Sequence, residues 1–303
     1  MKKYLKSLGI SHIKLMNGFH NQVFQGVYLN QSIIIRISQR RSYEETYSEI
    51  CLLVDLSKVI PVNTPVKVDG QYLTKKSNHI LSFYTYVEAK NWYEIKLTAD
   101  IHFRAGISLG KLHQYTMGRD SFKRKSFEYH PDIDLVKKTP IKIQNALNDT
   151  LKTIKQIPKA KKYYGLIHGD YLFSNIMYQN QALILIDFDD IEYHYYLYDI
   201  AVYLFYLLLG GNPSKIDIEP NIDVFKSFIK GYRSVNKETV LPFEHIQCFF
   251  RLRQLKLYAT IYQMPKTTLG PWQKAYLSLT EEQIENDKDF IMIDYQNLFI
   301  ENI

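Results

Sequence analysis

One stretch constrains the chain more than any other. Gly165-Leu166-Ile167-His168-Gly169-Asp170-Tyr171-Leu172-Phe173-Ser174-Asn175 is followed shortly by Leu183-Ile184-Leu185-Ile186-Asp187-Phe188-Asp189-Asp190. The framework is H-x-D-x-x-x-x-N, then a strand pair turning at Gln179-Asn180, then an apolar run that ends on Asp-Phe. A loop turn beside a core histidine is the plain account of His168, Asp170 and Asn175 taken alone. The apolar strand that must follow, and must end on a carboxylate, makes coincidence much rarer.

The remainder divides in two. Its 303 residues exceed one ordinary core and suggest two domains or one two-lobed fold. Up to about residue 90 the pattern is mainly strand: 23–29 and 32–37 around a turn at Asn30-Gln31, 66–69 and 71–74 around Gly70, then 80–87. One helix interrupts it. Ser42-Tyr43-Glu44-Glu45 reads as a capping box, and a helix to about Ser57 places Tyr47, Ile50, Leu53 and Val54 on an apolar stripe. Beyond Glu88 helices take over, from Thr98 to Met117 with Gly118 as terminator, then at 133–157, 198–209, 221–233, 242–264 and 271–290. The one strong strand signal there is the hairpin of 175–178 with 182–187. The predicted fold class is α+β: a small β-rich lobe, 1–87, and a larger helical lobe, 88–303, with a β-hairpin embedded in it.

Composition narrows the class. With 25 Tyr and 16 Phe against 13 Gly and 10 Pro, the chain has bulky side chains for its core and few glycine-dependent loops. An apolar share of 46% with 23% charged residues excludes disorder and fibrous repeats. Two cysteines, Cys51 and Cys248, exclude a disulfide framework and a cysteine-rich zinc site, and point to a reducing compartment. The most apolar run, 200–211, falls short of the ~20 residues of a membrane span. The lysine-rich start lacks the apolar segment of a secretory signal. A cytoplasmic protein without membrane partners is expected. The net charge of +7 is concentrated before residue 150, in clusters that include 119–125 and 137–142, with another at 152–162. No nucleic-acid motif accompanies them, so the reading is solvated helix faces plus attraction for an anionic small ligand such as a nucleotide, with no nucleic-acid partner.

Phosphoryl transfer from a nucleotide needs a carboxylate to orient the attacking hydroxyl, oxygen ligands for Mg²⁺, and a cation on the phosphates. A catalytic-loop Asn and an Asp at the end of the next strand supply the oxygens from two neighbouring rigid points. Upstream, Asn17-Gly18-Phe19-His20-Asn21-Gln22-Val23-Phe24 suits a phosphate-covering turn, with a surface hairpin as the equal alternative. Arg36, inside Ile33-Ile34-Ile35-Arg36-Ile37, is a charge that burial penalises unless it is paired. It reads as a phosphate-gripping cation or as the polar face of an edge strand. Glu49 is its candidate partner; Glu45 competes but is better used in capping.

These motifs together resemble the aminoglycoside phosphotransferase and choline kinase-like superfamily of small-molecule kinases, over nearly the whole chain. The likeness extends to Gly18-Phe19-His20-Asn21-Gln22-Val23, to Ile35-Arg36-Ile37, and to Asp187-Phe188-Asp189-Asp190 with Tyr193 and Asp199-Ile200-Ala201. The resemblance implies a bilobal protein-kinase-like fold. It makes Asp170 the catalytic base or hydroxyl-orienting carboxylate and Asn175 and Asp187 the Mg²⁺ ligands. Arg36 would sit on the phosphates of ATP or GTP, with Glu49 as its helix partner. Gly18 and Asn21 would belong to the phosphate-covering turn, and Tyr86 and Glu88 to a hinge at 84–88 that bonds the base through its backbone. His168 and Asp199 would be buried supports of the catalytic loop. Only eleven residues separate Asp187 from Asp199, too few for a peptide-docking segment, and Leu172 replaces the basic residue usual in protein-serine kinases. The expected acceptor is therefore a small-molecule alcohol. A nucleotide-binding pseudokinase is the competing reading. Asp189, Asp190 and Glu192 either face a cationic acceptor or cap the next turn. Arg251 and Arg253 either meet an anionic acceptor group or pair structurally, and structural pairing is favoured.

Overall fold

The computed structural model describes residues 1–16, 21–38, 41–210, 213 and 219–291. Two units emerge, one gathering Met1–Ile95, Ser121–Arg124 and Ser174–Asp189, the other Lys96–Asp120, Lys125–Phe173 and Asp190–Ile303. In the first, α1 (Lys2–Ser7) precedes β1 (Ser11–Met16), β2 (Gln22–Tyr28) and β3 (Gln31–Ser38), and α2 (Tyr43–Leu56) leads on to β4 (Leu73–Lys76) and β5 (His79–Thr85). Among the described residues these strands form an antiparallel sheet in the order β1-β2-β3-β5-β4.

Strand periodicity decides what each face carries. Successive side chains of β3 point to opposite faces. Ile33, Ile35 and Ile37 are buried against Leu5, Ile10, Phe24, Leu81 and Phe83. Arg36 therefore faces the other way, where α2 lies. The capping box that starts α2 forms as expected: Glu45 N donates to Ser42 Oγ at 3.1 Å and Ser42 N donates to Glu45 Oε2 at 2.9 Å. The inward stripe, however, is Thr46, Glu49, Ile50, Leu53 and Leu56, whereas Tyr47 is 53% exposed. The β2–β3 turn lies at Leu29-Asn30, one residue earlier than expected, with both φ angles positive at 47° and 64°. That geometry matches the twist of a two-residue hairpin. Val68 and Gln71 do bridge around Asp69-Gly70, but β4 pairs with β5 and not with residues 66–69.

The second unit begins with α3 (Ala99–Thr116), capped by Thr98 as expected. Next come α4 (Pro131–Val136) and α5 (Ile141–Ile154) in place of one helix over 133–157. Pro140 stands between them, and a proline ring is tolerated only in the first turn of a helix. β6 (Tyr164–Ile167) is a strand the sequence pattern did not disclose; its partner β9 (Glu192–Tyr195) lies across the hairpin of β7 (Ile176–Gln179) and β8 (Ala182–Leu185). That hairpin belongs to the first unit, where Asn63 N and Leu185 N bond to Leu185 O and Pro61 O. The chain continues with α6 (Tyr196–Leu209), α7 (Glu219–Val235), α8 (Ile246–Tyr262) and α9 (Pro271–Glu285). Helices α3 and α7 meet backbone to backbone. A Cβ on Gly106 would strike Phe228 O, and one on Gly231 would strike Phe103 O. Tyrosine fills much of this interior, with Tyr171, Tyr195, Tyr196, Tyr198, Tyr203, Tyr232, Tyr258 and Tyr276 all buried. No described helix is long and apolar enough to cross a membrane.

Candidate active site

In the first unit the polar centre is built on the α2 face of the sheet. Arg36 Nη2 donates to Glu49 Oε2 at 2.7 Å, with the two side chains 8% and 1% exposed. β3 pairs with β5 so that Ile34 lies opposite Tyr84, and this sets the Tyr84 ring diagonally beside Arg36. The guanidinium lies 5.1 Å from the Tyr84 ring centroid, and the Tyr84 hydroxyl donates to Glu49 Oε1 at 3.1 Å. Burial works against the Arg36 charge, but Glu49, then Tyr84 and Asp189, outweigh it and hold its pKa well above the ordinary guanidinium value. Glu45 is spent on the helix cap, so the choice between the two glutamates is settled geometrically.

Asp189 also belongs to this centre. Its carboxylate lies 3.8 Å from Arg36 and 3.9 Å from Arg41 and is buried, so it does not face outward as an acidic lining. Arg124 was not foreseen. It stands in the basic cluster read as a solvated face, yet its side chain is fully buried and reaches Glu49 Oε2 at 3.3 Å. Nothing in the local pattern separates it from its exposed neighbours Lys123 and Lys125.

Asn175 and Asp187 lie at one end of the β7–β8 hairpin. Ile176 pairs with Leu185, and Ile186 N donates to Asn175 O at 3.0 Å. Asn175 is buried, whereas Asp187 is exposed and held at φ +61°. A non-glycine residue held in the left-handed region costs conformational energy and marks a local constraint. Among the described residues no group of three or more His, Cys, Asp or Glu gathers as a metal cage. One amide and one carboxylate nevertheless fit Mg²⁺, which keeps several waters and shares its remaining positions with substrate phosphates.

Asn21 is placed just ahead of β2. Gly18 lies outside the described residues. Tyr86 N donates to Ser32 O at 3.1 Å, and Glu88 O accepts from the Gln179 amide at 2.7 Å.

In the second unit the His168-Gly169-Asp170 turn leaves β6 and is pinned from behind. Asp199, fully buried on α6, accepts from His168 N and from Gly169 N, each at 2.8 Å. His113 of α3 completes that shell, its Nε2 standing 3.0 Å from Asp199. Burial lowers the His113 pKa although Asp199 opposes the shift, so the ring is neutral and Nε2–H donates. Nδ1 then accepts from the Tyr232 hydroxyl at 2.9 Å. Gly169 has φ +81°, and a Cβ there would run into Asp190 O, so this position admits only glycine. His168 is itself buried.

Asp170 is met from α8. Arg253 Nη2 donates to Asp170 Oδ1 and to the Tyr206 hydroxyl, both at 2.7 Å, and its guanidinium lies 4.9 Å from the Tyr206 ring centroid. Burial disfavours that charge, but Tyr206 and Asp170 more than compensate and raise its pKa. Arg253 thus orients Asp170, a contact that residue spacing did not reveal. Arg251 bonds instead to Gln254 and the Lys288 carbonyl. Asp190 accepts from His130 at 3.2 Å, and buried Glu192 lies 3.8 Å from Lys256.

A β-rich unit with a paired cation, and a helical unit with a pinned His-Gly-Asp turn, define a kinase-like phosphotransferase. The sequence profile of the Phosphotransferase enzyme family matches residues 12–233. The chain belongs to that family, and it is an enzyme of the small-molecule kinase class. It is similar to the amicoumacin kinase of Bacillus subtilis (strain 168), with 23% identity, covering 94% of this chain and 90% of that protein. The amicoumacin kinase hAmiN, solved with AMP-PNP, Ca²⁺ and Ami, shares the fold with a TM-score of 0.87 at 22% identity, covering 98% of this chain and 96% of that one. A microcompartment-associated aminopropanol kinase shares it with a TM-score of 0.68 at 19% identity, covering 94% and 98%.

Proposed function

We propose that the protein moves the γ-phosphoryl group of ATP to a hydroxyl of a small-molecule alcohol in the cytoplasm. The observation that carries this reading is the pinned turn. Asp199 takes up both backbone N–H groups ahead of Asp170, and Arg253 holds the Asp170 carboxylate from the side. Such over-determined positioning is what this chemistry asks of its carboxylate, because the transition state is loose and needs orientation more than a strong base. Asp170 accepts the hydrogen bond of the acceptor hydroxyl. The acceptor oxygen bonds to the γ-phosphorus as the bridging oxygen–phosphorus bond breaks, the proton passes to Asp170 and then to solvent, and ADP leaves.

Arg36, steadied by Glu49, neutralises phosphate charge. Gly18 and Asn21 cover the phosphates, and the backbone at Tyr86 and Glu88 addresses the base. Asn175 and Asp187 would hold Mg²⁺, which would offset charge on the phosphate oxygens. The AMP-PNP complex of a relative with the same fold supports ATP over GTP. Its acceptor, and that of the aminopropanol kinase, support a multifunctional small alcohol rather than a protein side chain.

The test is a panel of amino alcohols, sugars, hydroxy acids and macrolides, scored by acceptor-dependent ADP release. At least one acceptor should accelerate release strongly. Mg²⁺-dependent ATP binding with no hydrolysis or transfer across the panel would favour the pseudokinase.

A further inference from the structure

Arg124 has a setting that the proposed function leaves unexplained. The segment Ser121–Arg124 belongs to the first unit although the chain on both sides of it belongs to the second. Lys123 N donates to Ser48 Oγ at 2.8 Å, which fixes the segment against α2. From there Arg124 turns inward. Its Nη2 donates toward Glu49 Oε2 at 3.3 Å, Phe188 O at 3.1 Å and Asp189 O at 3.0 Å. Those two carbonyls are the first and second after Asp187, whose backbone is held at φ +61°. One guanidinium thus touches the partner of Arg36 and also the backbone behind the exposed carboxylate.

Stability alone does not account for this residue. Arg36, Arg41 and Arg124 crowd together around Glu49 and Asp189. Arg124 Nε and Nη1 are buried without a hydrogen-bond partner among the described residues. Burial and the neighbouring guanidiniums work against its charge, and its pKa is lowered although Glu49 supports it. An apolar side chain of similar volume commonly serves a buried site as well as an incompletely paired ion.

We propose that Arg124 is a positioning residue that ties the Asp187-Phe188-Asp189 backbone to the Arg36–Glu49 pair, setting the cation ligand and the phosphate-gripping guanidinium with one cross-link. This rests on the reading above, in which Asp187 holds the divalent cation. Arg124 Nη2 bonds to the Phe188 and Asp189 carbonyls and to Glu49. It acts through the backbone on one side and through Glu49 on the other.

The experiment is calorimetric titration of the full chain with ADP, without and with Mg²⁺, for the wild type, Arg124→Met and Arg124→Lys. The wild type is expected to bind ADP more tightly when Mg²⁺ is present. Arg124→Met should bind ADP somewhat more weakly without metal, because Glu49 then steadies Arg36 less well, and beyond that should lose about tenfold or more of the gain from Mg²⁺, the scale seen when groups behind a metal ligand are removed. Arg124→Lys, with the charge but no fork, should fall between. A variant that retains the full Mg²⁺ gain, even with a lowered Tm, overturns the positioning role. If Arg124→Met does not fold, the same comparison on Arg124→Lys decides. A wild type that shows no gain from Mg²⁺ would instead overturn the metal reading itself, and the proposal with it, so the two failures are told apart by which protein shows them.

Discussion

The two units hold their polar centres by different means. In the first, charge is held by charge: Arg36, Arg41 and Arg124 share Glu49 and Asp189 on a β-sheet face. In the second, one carboxylate is surrounded by donors, as Asp199 receives two backbone N–H groups and a neutral His113. A centre where several guanidiniums are gathered on carboxylates is suited to meeting phosphate. A centre whose carboxylate is saturated by backbone donors is suited to freezing a loop. The difference teaches that the two units rely on two kinds of rigidity, which respond differently to substitution.

The sharpest way to separate them is Asp170→Asn. Turnover should fall by about 10³-fold, roughly 4 kcal/mol of transition-state stabilisation, while nucleotide affinity, which the proposed function assigns to the first unit, is kept. Steady-state kinetics beside a binding titration checks it. Next in size is Asp199→Asn. Its amide nitrogen must oppose one of the donors that Asp199 now satisfies, and the loss of a doubly used buried carboxylate should cost ~3 kcal/mol in urea unfolding.

The pH dependence of the second unit is smaller. Burial pushes His102, which bonds the Tyr203 hydroxyl, down to about 4. A depressed histidine contributes stability above its unfolded pKa that is lost as pH falls toward the folded value. The protein should therefore lose on the order of 2 kcal/mol between about pH 6.5 and 4 from this residue, and His102→Gln should flatten that slope in urea midpoints. Smallest is Tyr84→Phe in the first unit. It removes one donor from Glu49 and leaves Arg36 in place, so a loss of ~1 kcal/mol is expected, with no change in the pH profile between 5 and 8.

How much of this was legible in the sequence follows from which interactions are local. The capping box at Ser42 and Glu45 and the alternation of β3 use neighbouring residues, and both could be read directly. The pairing of Arg36 with Glu49 followed from them, because a charge inside a β-branched run had one unoccupied glutamate within reach. Asp170, Asn175 and Asp187 can be singled out by spacing, since loop and hairpin are contiguous, and their roles rest on the proposed function. Arg124, His113 and Arg253 were not assigned these contacts, because each reaches its partner across many residues of chain. Arg124 also hides among lysines that are solvated. Strand β6 was missed because its partner, β9, lies beyond an intervening hairpin. The long helix expected over 133–157 breaks at Pro140, a signal that was present but outweighed by apolar periodicity.

The central claim is that Asp187 belongs to the metal and Asp170 to the acceptor. Calorimetric titration of ATP with and without Mg²⁺ on Asp187→Asn and Asp170→Asn tests it most directly. Asp187→Asn should lose the Mg²⁺-dependent gain in affinity, and Asp170→Asn should keep it. Equal retention of that gain by both variants, or its loss in Asp170→Asn alone, would contradict the assignment.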